Sequence, residues 1–200
     1  MRPDQDPAPT GAAPSPAGPG PTPAAAVRVV TLRNGLRLLL APDPAAAAVD
    51  VAVWYRAGVA SEPAGRQGIS HLFGRLMLAG SAHYGPLEHD RLVEAEGGQP
   101  GAYITPDYSC YFETIPASAL ELAFRLEADR MASTRLTPES LAEAVRVVGA
   151  DLRRQSEQPV LGGALQAFYE LAWGDHPYRR LTAERGVDLS RITLQDCQEF

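Results

Sequence analysis

The spacing of apolar residues switches between two patterns along the chain, and the order of these switches restricts the fold classes open to it. Two-residue alternation, which is typical of strands, runs through residues 27–57 and 102–115, whereas helical spacing covers most of residues 69–95 and 117–198. Blocks of strands and helices that are segregated in this way predict an α+β fold. We expect a mainly antiparallel sheet with helices packed on one face.

Turn and cap residues mark where individual elements begin. The Asn-Gly pair at Asn34 lies between two β-rich runs and predicts a hairpin. Thr137, followed by proline, supplies an N-cap and a favoured first-turn residue for a long helix through about residue 155. In the preceding helix, residues 117–131, the apolar stripe is predicted to consist of Leu120, Ala123, Phe124 and Met131.

Residues 1–26 are dominated by proline, alanine and glycine and contain no aromatic residue. Such a segment cannot bury enough apolar surface to offset the loss of chain entropy, so we expect a disordered tail. The folded domain is expected to cover residues 27–200.

Charge and cysteine content exclude several functional classes. The formal net charge is −6, and the basic residues are dispersed, which argues against a nucleic-acid partner because such proteins carry a clustered basic face. Cys110 and Cys197 show no C-x-x-C spacing, which excludes a zinc knuckle or a thioredoxin-like motif. Two free thiols are favoured over one disulfide, and Cys110 is predicted to be a small buried hydrophobic residue.

No stretch of the sequence approaches the length of a membrane-spanning helix. The N-terminal segment has a single basic residue, Arg2, and no apolar core follows it, so it lacks the pattern of a signal peptide. We therefore expect a cytoplasmic protein, or a periplasmic one if the start codon is misplaced.

The segment from Gly68 to Gly80 contains His71, with Gly74 and Arg75 three and four positions later. Other blocks accompany it in order: Val53–Gly58, Glu62–Arg66, Leu76–Ser81, Glu94–Gly98, Ala102–Tyr103 with Asp107, Tyr111–Thr114, Leu126–Met131 and His176–Tyr178. Together they resemble the insulinase–pitrilysin–processing-peptidase family, the inverzincins, whose hallmark is H-x-x-E-H on a helix. The resemblance covers nearly all of the expected folded domain and implies a peptidase half-subunit, here without its last strand.

The resemblance also implies which residues stand at the family's zinc site. In the family two histidines one helical turn apart share Zn²⁺, the glutamate between them activates water, and a later carboxylate completes the ligands. His71 matches the first histidine, Gly74 the glutamate, Arg75 the second histidine and Asp151 the later ligand. Glycine has no side chain, and arginine is a permanent cation without a lone pair to donate. We therefore expect no bound zinc and no catalytic residue.

Each remaining residue of the motif has a structural interpretation as well. His71 is expected to be a partly buried helical histidine. Arg75 is either an ordinary surface residue or the salt-bridge partner of Asp151. The other histidines, His83, His89 and His176, lie outside the motif, and we do not expect them to rebuild a metal site.

The family's peptide-binding edge corresponds to residues 99–104, with Gly101, Ala102 and Tyr103 as the candidate contacts. Family members add an extended peptide to this strand by β-augmentation. Gly101 stands where the family commonly has asparagine, and Pro100 has no N–H to donate. Peptide binding is therefore expected to be weakened. An edge strand that is protected against aggregation explains the same residues equally well.

Three functions follow from the resemblance. The first is a non-catalytic homologue of a zinc metallopeptidase, a partner or structural subunit that associates with an active family member or with its own missing second domain. The second is a zinc-dependent metalloendopeptidase with an atypical site. The third is a truncated gene remnant, because the closing strand of the half-domain and the second domain are absent from the sequence.

Overall fold

The computed structural model describes residues 26–156, 162–180 and 188–200, so nearly all of the expected tail lies outside it. The first described element is a hairpin in which β1 (Arg28–Thr31) pairs antiparallel with β2 (Arg37–Leu40). Gly35 has φ 88° in the turn, a left-handed conformation that glycine adopts without steric cost. The prediction of a hairpin at the Asn-Gly pair is confirmed.

Residues 46–200 form a separate unit around a three-stranded antiparallel sheet. Its strands are β3 (Ala48–Tyr55), β4 (Gln99–Ile104) and β5 (Ser109–Pro116), in the order β3-β5-β4. The register places Val51 opposite Glu113 and Gly101 opposite Phe112. Val51 is buried, and the other odd-numbered residues of β3 are less exposed than the even-numbered ones, as alternation predicts.

Six α-helices accompany this sheet in the described part of the chain. They are α1 (Ile69–Leu76), α2 (Glu88–Ala95), α3 (Leu120–Ser133), α4 (Pro138–Ser156), α5 (Gly162–Trp173) and α6 (Leu194–Glu199). The α+β class predicted from the apolar spacing is confirmed. That residues 27–200 form one domain stays a prediction.

The start of α1 is fixed by the buried carboxylate of Glu62. It accepts hydrogen bonds from the backbone N–H groups of Gly68 at 2.9 Å and Ser70 at 3.1 Å, and from the Ser70 hydroxyl. These bonds satisfy amide groups that a helix leaves unpaired at its N-terminus, where negative charge is also favourable. The fully buried Leu72 and Leu76 then anchor α1 in one hydrophobic core, together with residues of α4.

A second core lies between the sheet and α3, and here one prediction was wrong. Phe124 and Met131, expected on the apolar stripe of α3, are 52% and 42% exposed. Glu127 and Arg130 are buried instead, because each side chain neutralises the other through an i,i+3 ion pair. The first two residues of the predicted stripe do belong to this core.

Cys110 and Cys197 are free thiols, and both are buried, as predicted. Within the described part of the chain, no helix combines the length and apolar character that crossing a bilayer requires.

Candidate functional site

Helix α1 presents the residues that match the zinc-peptidase motif. His71 is half-buried, and desolvation lowers its pKa below the usual value, although the nearby Glu62 carboxylate opposes this shift. The imidazole is therefore neutral at neutral pH and retains a lone pair on one ring nitrogen.

At the position of the general base, the space for a side chain is already occupied. A Cβ atom added to Gly74 would lie 2.5 Å from Cδ1 of Ile104 on β4 and 3.7 Å from the hydroxyl oxygen of Tyr111. Non-bonded carbon atoms pack best about 3.5–4.0 Å apart, so a larger residue at position 74 would require the Ile104 side chain to move.

Arg75 lies one helical turn beyond His71 on the same face of α1. Among the described residues, no carboxylate lies within 4.0 Å of its guanidinium. Its charge nevertheless reaches α4, where the pKa of Glu143 is lowered, chiefly by a hydrogen bond from Arg146 and to a smaller extent by Arg75.

Asp151 pairs with a residue of its own helix. Nη2 of Arg154 lies 2.6 Å from Oδ1 of Asp151, and the Asp151 side chain is 48% exposed. The alternative that Arg75 pairs with Asp151 was therefore wrong. An i,i+3 arginine already satisfies this carboxylate in a solvent-exposed setting.

The residues at the family's zinc position do not fit the metal. A catalytic zinc site has three protein ligands and a water molecule. Here α1 supplies one imidazole, and the second ligand position on its face is Arg75, whose guanidinium has no lone pair to donate and would repel a dication. No catalytic step through zinc follows from this arrangement.

The expected peptide-binding residues lie on β4, which has one neighbouring strand, β5, in the described sheet. A Cβ atom on Gly101 would lie 2.8 Å from Cε1 and Cε2 of the Phe112 ring, so the ring occupies the space that asparagine would need. Tyr103 is 41% exposed and contacts Trp54 edge-to-face, with ring centroids 6.1 Å apart. The edge position of β4 agrees with the prediction, while peptide binding stays untested.

The structure brings together a second group of polar residues that the sequence did not reveal. His89 on α2, Glu113 on β5 and Glu127 on α3 place one ligand atom each within 4.8 Å of one another. They are far apart along the chain, and no spacing rule joins them. The available signals were the acid–base pair Glu127 and Arg130 at helical spacing, and the position of both glutamates in blocks that resemble the peptidase family.

Burial dominates the titration of this group. It raises the pKa of Glu127 to about 7, with the Arg130 guanidinium opposing the shift, and it raises the pKa of Glu113. It lowers the pKa of His89. The other two non-motif histidines lie elsewhere: His83 pairs with Asp129 at the surface, and the His176 ring packs against Trp173 and Tyr178.

A sequence model described as insulinase (peptidase family M16) matches residues 37–183, which is most of the chain. The chain belongs to the M16 family. The predicted resemblance is thereby confirmed, and the blocks that surround the altered motif are those of an M16 domain.

Curated relatives of the chain include the zinc protease PqqE of Helicobacter pylori, which is 27% identical over 172 residues. That alignment covers 86% of this chain and 39% of the relative, so the chain spans about two fifths of its length. The coenzyme PQQ synthesis protein F of Pseudomonas aeruginosa is 31% identical over 164 residues, covering 80% of this chain and 20% of that protein.

The chain also has counterparts among solved structures. A protease from Helicobacter pylori superposes with a TM-score of 0.83 at 25% identity, covering 88% of this chain and 42% of that one. A peptidase M16 inactive domain from Pseudomonas fluorescens gives a TM-score of 0.76 at 18% identity, with 87% and 42% covered. At 18% identity the second likeness is one of fold alone.

Proposed function

We propose that this chain is a non-catalytic M16 domain that acts as a partner or structural subunit of an active zinc peptidase. The observation that carries the proposal is that the general-base position is a glycine whose side-chain space is occupied by Ile104. A carboxylate must stand there to take the proton from metal-bound water. General acid–base catalysis of this kind contributes about 10²–10⁴-fold in rate, so its loss removes most turnover.

The neighbouring residues support the same proposal independently. Arg75 replaces an uncharged ligand with a cation, and Asp151 is held by Arg154 at 2.6 Å. A single substitution at a metal site can be compensated, but here the base, one ligand and the later carboxylate all depart from what zinc chemistry needs. Loss of activity is the simplest account of the three changes together.

The apolar surface of α5 supports a role in an assembly. Phe168 is 62% exposed, Leu171 88% and Trp173 42%. Exposed apolar side chains grouped on one helix commonly mark an interaction surface. The match covers 39% of the first relative described above, so more than half of that protein has no counterpart in this chain. We assign the cover of α5 to a second M16 domain, carried either by an active partner subunit or by the same polypeptide.

Catalysis is tested with an unstructured polypeptide substrate, with and without a chelator, using the wild-type chain and His71→Asn as the matched control. We expect no chelator-sensitive cleavage above the level of the variant. Cleavage by the wild type that the chelator stops and His71→Asn abolishes would show a working zinc peptidase and refute the proposal.

Assembly is tested by mixing the chain with an M16 subunit from the same source that carries an intact H-x-x-E-H motif. We expect a one-to-one complex in analytical ultracentrifugation, weakened strongly by Leu171→Asp. Phe124→Asp, at a 52% exposed apolar residue of α3, should leave the complex intact. Equal loss in both variants, or no complex with the wild type, would argue against α5 as the interface.

A further inference from the structure

The group formed by His89, Glu113 and Glu127 lies in the interior, well away from ordinary positions for charged side chains. Glu113 is 0% exposed and Glu127 3%, while the His89 side chain retains 14% exposure. The three residues come from α2, the central strand β5 and α3, so three separate elements converge on this point.

The distances in this group are unusual for hydrogen-bonded residues. Nε2 of His89 lies 3.8 Å from Oε2 of Glu113 and 3.9 Å from Oε1 of Glu127. Both separations exceed hydrogen-bonding distance. A Zn²⁺ ion held about 2.0–2.2 Å from each ligand atom leaves the ligand atoms roughly 3.3–4.2 Å apart, which includes both observed values.

Several polar atoms at this point have no hydrogen-bond partner among the described residues. They are Nε2 of His89 and both carboxyl oxygens of Glu113. Buried polar atoms are nearly always paired in folded proteins, and unpaired ones call for an explanation such as a bound ion or water. Three such atoms in one group indicate a ligand.

The balance of charge gives the sign of that ligand. Glu127 is paired with Arg130, which also lies over the Tyr111 ring with Cζ 4.7 Å from the ring centroid. The same guanidinium also acts on Glu113 but is bonded to Glu127, and Asp90 beside His89 adds to the negative potential at Glu113. The site therefore has one buried carboxylate in excess of its guanidinium, and a cation would neutralise it.

A small cavity on the side of α2 is lined in part by His89, Asp90 and Arg130, so it reaches the group at its histidine. Asp90, on the wall of this cavity, adds a negative charge that attracts cations. Imidazole and carboxylate oxygen together suit Zn²⁺ and related divalent transition metals.

We propose that His89, Glu113 and Glu127 form a structural site for a divalent transition-metal cation of the Zn²⁺ class, distinct from the altered motif on α1. The cation would join α2, β5 and α3. Arg130 now bonds both oxygens of Glu127; with the cation bound it would keep Oε2, which lies 3.2 Å from its Nε, and release Oε1 to the metal. The proposal does not depend on whether the chain is catalytic.

The test uses the full chain stripped of metal with a chelator and then titrated with Zn²⁺. We expect a rise in Tm of roughly 5 °C or more at saturation. In calorimetric titration, His89→Asn and Glu113→Gln should each weaken Zn²⁺ binding by at least about 100-fold, more than the loss of an outer-shell group costs. Co²⁺ should give the visible absorption of a low-coordinate site in the wild type and lose it in both variants.

Two control variants identify binding elsewhere. His83→Asn removes the surface pair in which Nδ1 of His83 lies 2.6 Å from Asp129, and His71→Asn removes the motif histidine. Both should keep the Zn²⁺-dependent rise in Tm. A rise that disappears in either control but persists in His89→Asn and Glu113→Gln would overturn the proposal, as would no rise in the wild type.

A proton shared by the carboxyl groups of Glu113 and Glu127 would also neutralise the excess negative charge. In that case Zn²⁺ would leave the wild-type Tm unchanged, and Glu113→Gln would raise the Tm without metal; this result would also overturn the proposal. If Glu113→Gln fails to fold, His89→Asn decides the question, because the His89 ring is partly exposed and its substitution is the milder one. Circular dichroism establishes that each variant is folded.

Discussion

Two regions of this M16 domain differ in what their interior contains. Around α1, the positions where the family's chemistry would occur are packed by apolar side chains: Ile104 occupies the space beside Gly74, and the Phe112 ring occupies the space beside Gly101. Around His89 and Glu113, polar atoms are buried without hydrogen-bond partners among the described residues.

The difference shows how the two regions are stabilised. Apolar packing tolerates the loss of a functional group, because a neighbouring side chain can take up the free volume and recover dispersion contacts. A buried carboxylate cannot be satisfied in that way, since it needs a proton, a cation or a hydrogen-bond donor. Substitutions in the buried charged group should therefore change the stability of the fold more than substitutions in the apolar packing around α1.

The largest effect is expected from removing the counter-charge of Glu127. Arg130→Ala leaves a buried carboxylate unpaired and should lower the free energy of unfolding by about 3–5 kcal/mol. Urea unfolding with a chelator present measures this effect without any contribution from metal. The double variant Glu127→Leu with Arg130→Met should recover much of the loss. A double variant as unstable as the single one would show that the charges are not the cause.

A smaller loss is expected on the apolar side, at Gly101. Gly101→Ala forces a methyl group against the Phe112 ring and should cost about 1–3 kcal/mol through overpacking. Phe112→Leu in the same chain should remove most of that penalty. Thermal melts of the two single variants and the double variant form a double-mutant cycle. If the two stability changes simply add, the Phe112 ring does not occupy the space beside Gly101.

At Gly74 two effects of similar size should nearly cancel. Alanine gains about 1 kcal/mol in helix propensity, but its methyl group requires Cδ1 of Ile104 to move. Gly74→Ala should therefore change the wild-type stability little, and it should stabilise an Ile104→Val chain, which lacks Cδ1, by about 1 kcal/mol. Chemical denaturation checks the coupling. If Gly74→Ala changes stability equally in both backgrounds, Cδ1 of Ile104 does not occupy the side-chain space of Gly74.

The smallest effect concerns an ion pair near the start of α1. The Arg66 guanidinium lies 2.7 Å from Asp196 and lowers the pKa of that carboxyl to about 2, with Thr193 adding hydrogen bonds. Because the folded pKa is below the unfolded value, the pair stabilises the fold above about pH 4 and loses this effect as the pH falls towards 2. Arg66→Gln should therefore lower the Tm near neutral pH, and the difference in Tm between the variant and the wild type should become smaller as the pH falls. A gap that widens at low pH would contradict the assignment.

Local sequence signals predicted much of the fold. The Asn-Gly pair at Asn34 gave the hairpin, alternation gave β3, and Thr137 gave the start of α4, where its hydroxyl accepts a hydrogen bond from the Ser140 amide. Each of these signals acts through atoms a few residues apart, so it can be read from one stretch of chain. The matching of His71, Gly74 and Arg75 to one helical face of α1 has the same origin.

The errors arose where distant residues decide the outcome. Helical periodicity counts apolar side chains, so it favoured Phe124 and Met131 over Glu127 and Arg130, whose burial depends on their mutual neutralisation. The packing of Ile104 on Gly74 joins residues of a strand and a helix, and no spacing rule reports it. The meeting of three elements at His89 was missed for the same reason.

The strand order β3-β5-β4 also bears on how this domain assembles. β5 is joined to β4 by a short turn in which Thr105 and Tyr108 share backbone and hydroxyl hydrogen bonds, whereas its other neighbour, β3, is more than fifty residues away in sequence. Short loops close at a lower entropic cost than long ones, so the β4–β5 hairpin should form first and act as the template onto which β3 docks. Glu113, on the shared strand, would then remain hydrated until late in folding, and its withdrawal from water would be among the last steps to the native state.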